Sequence, residues 1–160
     1  MTEYLTIPDT TASKEERYSQ LFPQIEGLIM GENDLIANLS NCIAAIHLTM
    51  GFLWTGIYFV RGNELVLGPF QGPVACTRIR KGRGVCGKAW EQQKTIIVED
   101  VSTFDDHISC SSLSRSEIVV PVFGNGEVVW VLDIDGAELA AFDGTDAEWL
   151  EKIMRLIEPR

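Results

Sequence analysis

The stretch "DDHISCSSLSRSE", residues 105 to 117, sets Cys110 among serines, carboxylates and His107, with only Ile108 and Leu113 as sizeable apolar neighbours. A structural free cysteine ordinarily behaves as a small core hydrophobe among apolar residues. Cys110 has loop neighbours, which suits a thiol that must be reached. Cys86 sits in "GRGVCGKAW", near the expected start of a helix, where free N–H groups and the macrodipole favour a thiolate. Cys76 follows "GPFQGPVA" at a loop-to-strand junction, whereas Cys42 lies between Leu39 and Ile43 beside an apolar helical stripe and reads as core. Three cysteines on connections suit redox chemistry, because loops bring distant residues together at the edge of a scaffold. The competing readings of "HISC" are a zinc site and a Cys–His hydrolase dyad. Zinc sites usually bring close C-x-x-C pairs, which Cys76 and Cys86 do not form, and catalytic dyads are normally built from residues far apart in the chain.

A second set of residues offers proton chemistry. Alternation along "EVVWVLDID" puts Val128, Trp130, Leu132 and Ile134 on one strand face and Val129, Val131, Asp133 and Asp135 on the other. The two carboxylates thus share a face, unless they are merely the wet tip of a strand. In "FLWTGIYFV" the same arithmetic sets Trp54, Gly56 and Tyr58 together. Strand aromatics are usually core, but a glycine between two rings costs packing and marks a place where something approaches the sheet closely.

The elements that must position these groups read as helices at both ends with strands between. Ser13 with Glu16 has the form of a capping box; Tyr18, Leu21, Ile25, Leu28 and Ile29 recur at helical spacing past Pro23. Asn33 is the expected cap of a second helix carrying Leu35, Ile36, Leu39, Ile43 and Ile46 and ending at Gly51. "FLWTGIYFV", "ELVLGPF", "ACTRI" and "TIIVEDV" read as strands, "GVCGKAWEQQ" as a short helix, and "EIVVPVFGNGEVVWVLDID" as a hairpin turned at Gly124-Asn125-Gly126. A last helix, "TDAEWLEKIMRLI", is expected to start at its Thr or Asp. This order describes a single α+β domain over residues 1 to 160, with a central, mostly antiparallel sheet flanked by helices and residues 1 to 12 as an N-terminal extension.

The chain has 160 residues, is 46% hydrophobic and carries a formal charge of -10, so one core is the default and phosphate backbones or anionic membranes are excluded as electrostatic partners. The apolar runs are short, and "MTEYLTIPDTTASKEER" lacks the cationic flank and apolar core of a signal peptide. A cytoplasmic location is expected, where a disulfide is more often catalytic than structural.

"GVCGKAWEQQKTIIVEDV" resembles the helix-and-strand segment of GAF domains. The chain from "YSQLFPQIEGLIMGENDLIANLSN" onward resembles the free methionine-(R)-sulfoxide reductases built on that domain. The specific parts are "GPVACTRIRKGRGVCG", "HISCSSLSRSEIVVPV", "WTGIYFV" and "LDIDG". The resemblance implies a GAF/PAS-like fold, a homodimer, reduction of free L-methionine-R-sulfoxide rather than the protein-bound residue, thioredoxin as reductant, and no metal or organic cofactor. It places the attacking thiol at Cys110 and the resolving function at Cys76 or Cys86, with Cys76 favoured, and maps the substrate pocket onto Trp54, Tyr58, Glu117, Asp133 and Asp135.

That chemistry explains the residue types. A thiolate attacking the sulfoxide sulfur needs a proton delivered to the oxygen, and Glu117 and Asp135 are the expected donors. Three crowded carboxylates raise at least one pKa, while Asp133 is expected to stay charged and to orient the acids or hold the substrate ammonium. Backbone N–H groups of the serine-rich loop would bind the α-carboxylate. The alternatives are a GAF module that binds a small ligand and signals, and a thiol sensor, which leaves the three acids without a task.

Overall fold

The computed structural model describes residues 4–108 and 110–159. Helices α1 (Lys14–Ile29) and α2 (Leu35–Met50) come first, followed by strands β1 (Trp54–Arg61), β2 (Glu64–Gln71) and β3 (Arg78–Arg80). Helix α3 (Gly84–Gln92), strand β4 (Ile96–Val98) and a single 3-10 turn (Val101–Thr103) lead into the hairpin β5 (Ser116–Gly124) and β6 (Glu127–Gly136), and α4 (Gly144–Arg155) closes the chain. The strands form one sheet in the order β3-β2-β1-β6-β5-β4, with every paired neighbour antiparallel. The expected α+β architecture holds.

Local chemistry sets the element ends. The Ser13–Glu16 capping box opens α1, which runs on through Pro23, and Gly51 ends α2 in the left-handed conformation. Asp34, not Asn33, caps α2: its carboxylate accepts from Ala37 N, while Asn33 N donates to Glu32 Oε1. The last helix starts one residue before Thr145, at Gly144, because the Asp143 carboxylate accepts from Thr145 N and Asp146 completes a capping box. Asn125 and Gly126 both take positive φ, the two-residue turn a tight hairpin demands. Residues 1 to 3 and Arg160 lie outside the described residues. Within the extension, Thr6 exchanges hydrogen bonds with the Gln24 side chain and Leu5 packs on the core.

The sheet separates two apolar clusters. On one side Ile57, Phe59, Ile118, Val120, Val122, Trp130, Leu132 and Ile134 meet the buried stripes of α1, α2 and α4. Burying such side chains contributes about 1.5–3 kcal/mol each before chain entropy opposes it. Tyr18 OH donates to Asp146 Oδ1 at 2.7 Å and Lys14 Nζ lies 2.5 Å from Asp146 Oδ2, which ties α1 to α4 through a buried acid. On the other side Val85, Cys86, Ala89 and Trp90 of α3 cover Tyr58, Val119 and Val131.

One face assignment changes. The register shifts between Val122 and Phe123, so that Val122 opposes Trp130 and Phe123 opposes Val128. The extra residue, Val129, turns toward the helical cluster, and Val128 joins the opposite one. A bulge of this kind reverses alternation beyond it, which strict period-two counting cannot register. Asp133 and Asp135 lie past the bulge and keep their shared face.

Candidate active site

On the face opposite α1, α2 and α4, β6 sets Asp133 across from Gly56 on β1 and Val119 on β5, and Asp135 across from Trp54 and Glu117. Alternation therefore gathers Trp54, Tyr58, Glu117, Asp133 and Asp135 into one patch. A Cβ at Gly56 would fall 2.2 Å from Trp54 Cη2 and 2.7 Å from Phe70 Cβ. The close approach anticipated at this glycine is thus the Trp54 indole itself. The ring lies between Phe70 and Tyr58, with centroids 5.4 and 5.9 Å away.

Two loops cover this floor. Trp54 Nε1 donates to Pro73 O at 3.0 Å and Tyr58 OH donates to Cys76 O at 2.8 Å, which straps the β2–β3 connection to the aromatics. The segment before β5 comes from the other side. Arg115 N donates to Gly136 O, Ser114 Oγ donates to Asp135 Oδ1 at 2.9 Å, and Arg83 grips Asp106 with Nε and Nη2 at 2.5 and 2.7 Å. Ile108 packs over Gly84, which has φ 59° and would bring a Cβ within 3.2 Å of it. The two loops meet in a Cys76–Cys110 disulfide, with Cα atoms 5.5 Å apart. Ser109, within the serine-rich loop expected to bind a carboxylate, lies outside the described residues.

Cys86 occupies the third residue of α3, as expected, but its surroundings oppose a thiolate. It is buried beside the acids, with Sγ 3.9 Å from Glu117 Oε1. Desolvation, and then repulsion from Asp133 and Glu117, push the thiol well above its ordinary pKa. The helix terminus does not outweigh three neighbouring carboxyls, so the expectation of a macrodipole-stabilised thiolate is corrected. Cys42 is fully buried in the helical cluster, and burial pushes its thiol up to about 12.

The carboxylates behave as a proton reservoir. Burial, then repulsion from Asp135, raises Glu117 to about 8. Burial, then repulsion from Asp133, raises Asp135 to about 8 against the stabilising Ser114 hydrogen bond. Asp133 is also pushed well above the carboxylate range, by burial, by the Glu117 charge and by donating a hydrogen bond to Glu117. Asp133 was expected to stay charged; burial and the Glu117 charge instead favour its protonated form. Its Oδ1 is buried and has no hydrogen-bond partner among the described residues.

His107 faces the cluster, Nε2 lying 3.5 Å from Glu117 Oε2. Among the described residues its partner is therefore a carboxylate, while Cys110 is bonded to Cys76 rather than paired with an imidazole as a hydrolase dyad needs. Ser114 and the Arg83–Asp106 clasp escaped sequence reading, since a serine in a serine-rich run and two charges 23 residues apart carry no pattern. The cavity enclosed by Trp54, Tyr58, Cys86, Cys110, Glu117 and Asp135 is small, about 30 Å³ open to the centres of water molecules, room for one or two waters.

The arrangement can pass electrons between two loop thiols and hold protons beside them. A model of the GAF domain family matches residues 39–158. "GAF domain-containing protein A" of Dictyostelium discoideum is 57% identical over 91% of this chain and 93% of its own length. "Free methionine-R-sulfoxide reductase" of Saccharomyces cerevisiae is 42% identical over 91% of this chain and 86% of its own length. Among solved structures, the free methionine-R-sulfoxide reductase of Neisseria meningitidis in complex with its substrate superposes with a TM-score of 0.92 and 47% identity, covering 97% of this chain and 94% of that one.

Proposed function

This chain belongs to the GAF-domain family, and from that premise we propose that it reduces free L-methionine-R-sulfoxide to methionine with Cys110 as nucleophile. The observation that carries the reading is the Cys76–Cys110 bond at the mouth of a pocket floored by three carboxyls. A thiol sensor needs the first feature and has no use for the second.

In this reading the reduced Cys110 thiolate attacks the sulfoxide sulfur while a pocket acid protonates the departing oxygen. A bond forms between the Cys110 and substrate sulfurs as the protonated oxygen leaves as water. A water oxygen then attacks the Cys110 sulfur, methionine departs with the electron pair of the sulfur–sulfur bond, a proton is returned to the pocket acid, and Cys110 is left as a sulfenic acid. Cys76 then attacks the Cys110 sulfur, water is released, and the disulfide forms. Cys76 fills this role better than Cys86, whose thiol is buried and held protonated. A dithiol donor of the thioredoxin class reduces the bond by exchange through a mixed disulfide.

Asp135 and Glu117, raised to about 8, retain protons at neutral pH for the oxygen. Asp133 orients Glu117 by donating to it and offers its free Oδ1 to the substrate's ammonium. Trp54 supplies an apolar wall against the S-methyl group, a contact worth about 1–3 kcal/mol in discrimination, so polar contacts carry part of the epimer selection. The family resemblance adds a homodimer. Among the described residues no helix is long and apolar enough to cross a membrane, and the chemistry works in a reducing cytoplasm, where it would return oxidised methionine to use under oxidative stress.

The test is NADPH consumption with thioredoxin and thioredoxin reductase on the free R epimer, the free S epimer and a peptide-bound sulfoxide. Turnover on the free R epimer alone, abolished by Cys110→Ser, is expected. Folded, reduced protein without turnover on any of them overturns the proposal in favour of the small-ligand module.

A further inference from the structure

The pocket gathers one soft and two hard donors that no regular element needs. Cys86 Sγ and carboxylate oxygens of Glu117 and Asp133 all lie within 4.8 Å of one another. Cys86 is 2% exposed, Glu117 6% and Asp133 6%. A buried acidic cluster is not in itself a site, but here Asp133 Oδ1 lacks any partner among the described residues, although a carboxyl oxygen at that depth ordinarily has one.

We propose that Cys86, Glu117 and Asp133 form a binding site for a single divalent cation of the zinc class. The spacing supports this. A tetrahedral zinc ion takes sulfur at about 2.3 Å and carboxylate oxygen at about 2.0–2.2 Å, so the sulfur–oxygen edge of its coordination shell is ~3.5 Å. Cys86 Sγ to Glu117 Oε1 is 3.9 Å, and a contraction of a few tenths of an ångström closes the shell. All three donors line the cavity, whose volume of about 30 Å³ has room for the water that would complete the shell. His107, 3.5 Å from Glu117, is placed to hold that carboxylate from outside the shell.

Donor type sets the metal class. A thiolate with two carboxylates suits a borderline-soft ion such as Zn²⁺, whereas Mg²⁺ and Ca²⁺ demand six or more oxygen ligands. Coordination releases the Cys86 thiol proton and the carboxyl protons to solvent and needs no redox partner. Neither Cys76 nor Cys110 takes part, so the site persists while those two are bonded together. Where the reductase reading holds, a bound cation also occupies the acids that reduction uses and blocks turnover; binding itself does not depend on that reading.

The disulfide form makes the test specific, because Cys86 and the core residue Cys42 are then the only thiols. Disulfide-bonded protein is titrated with Co²⁺ and followed by absorbance. Expected are a sulfur-to-cobalt charge-transfer band and the strong visible bands of tetrahedral cobalt, erased by Zn²⁺ and untouched by excess Mg²⁺. Cys86→Ser removes the charge-transfer band, Asp133→Asn weakens binding about tenfold or more, and Cys42→Ala changes nothing. Circular dichroism checks that each variant is folded, and Asp133→Asn carries the test alone if Cys86→Ser does not fold. No sulfur band in the wild type, a band that survives Cys86→Ser, or unchanged binding in Asp133→Asn overturns the proposal.

Discussion

At the residue scale the three pocket acids serve a purpose that costs stability. Asp135 is the acid that neighbours both the Cys110 segment, through Ser114, and the Trp54 wall. Asp135→Asn keeps shape and removes the proton, so we expect kcat to fall about 10²–10⁴-fold, with peroxide oxidation of Cys110 little changed. Stopped-flow thiol oxidation beside steady-state turnover separates the two; equal losses in both would assign Asp135 to thiol activation instead. Glu117 makes a stability prediction with a definite sign. Its folded pKa, about 8, lies above an unfolded value of about 4.3. Between those values the native state holds a proton that the unfolded state has lost, so stability falls as pH rises through that window. Glu117→Gln cannot ionise, and its melting temperature should gain on the wild type from pH 5 to pH 8 by the equivalent of about 1 kcal/mol or more. A constant difference across that range would show that the acid is not protonated in the folded protein.

At the element scale, β1 is built around Gly56. Alternation in the sequence placed Trp54, Gly56 and Tyr58 on one face and marked the glycine as a close approach. That much was legible because β1 keeps unbroken register with β6 from Trp54 to Phe59, the shift between Gly56 and Tyr58 falling in the pairing with β2. That the approaching group is the neighbouring indole was not, since ring orientation depends on Phe70 from β2 and on the Pro73 carbonyl. Gly56→Ala would drive the new methyl into Trp54 and Phe70, and we expect a loss of about 1–3 kcal/mol with a raised KM as the ring is displaced. Urea unfolding and steady-state kinetics measure both, and an unchanged KM would show that Trp54 does not touch the substrate. The same logic explains what the sequence hid elsewhere. Helix caps were misplaced by a residue or two at Asn33 and Thr145 because Asp, Asn and Thr compete for one role. The face of Val128 was misread because the bulge is set by β5 pairing, a non-local property.

At the scale of the molecule, one sheet separates stability from chemistry. The helical side is a continuous apolar cluster, and the other side holds the acids, the aromatic floor and two loops joined by a disulfide. Closing those loops leaves a cavity of about 30 Å³, far too small for an amino acid sulfoxide. In the reductase reading the pocket has to widen before substrate enters, and cutting the Cys76–Cys110 bond is the step that would free the two loops. Residues 104–108 are then held by the Arg83–Asp106 pair, by His107 against Glu117 and by the packing of Phe104 and Ile108 on the apolar cluster. The Arg83–Asp106 pair is exposed, and such pairs are worth about 0–1 kcal/mol, so the opening works mainly against the His107 and apolar contacts. Calorimetry with free methionine-R-sulfoxide should show binding to reduced Cys110→Ser protein and none to the disulfide-bonded wild type. Hydrogen exchange in residues 104–108 should rise on reduction while β5 and β6 stay protected. Substrate binding by the disulfide form would mean that the cavity opens by another route, and would remove the argument that reduction precedes substrate entry.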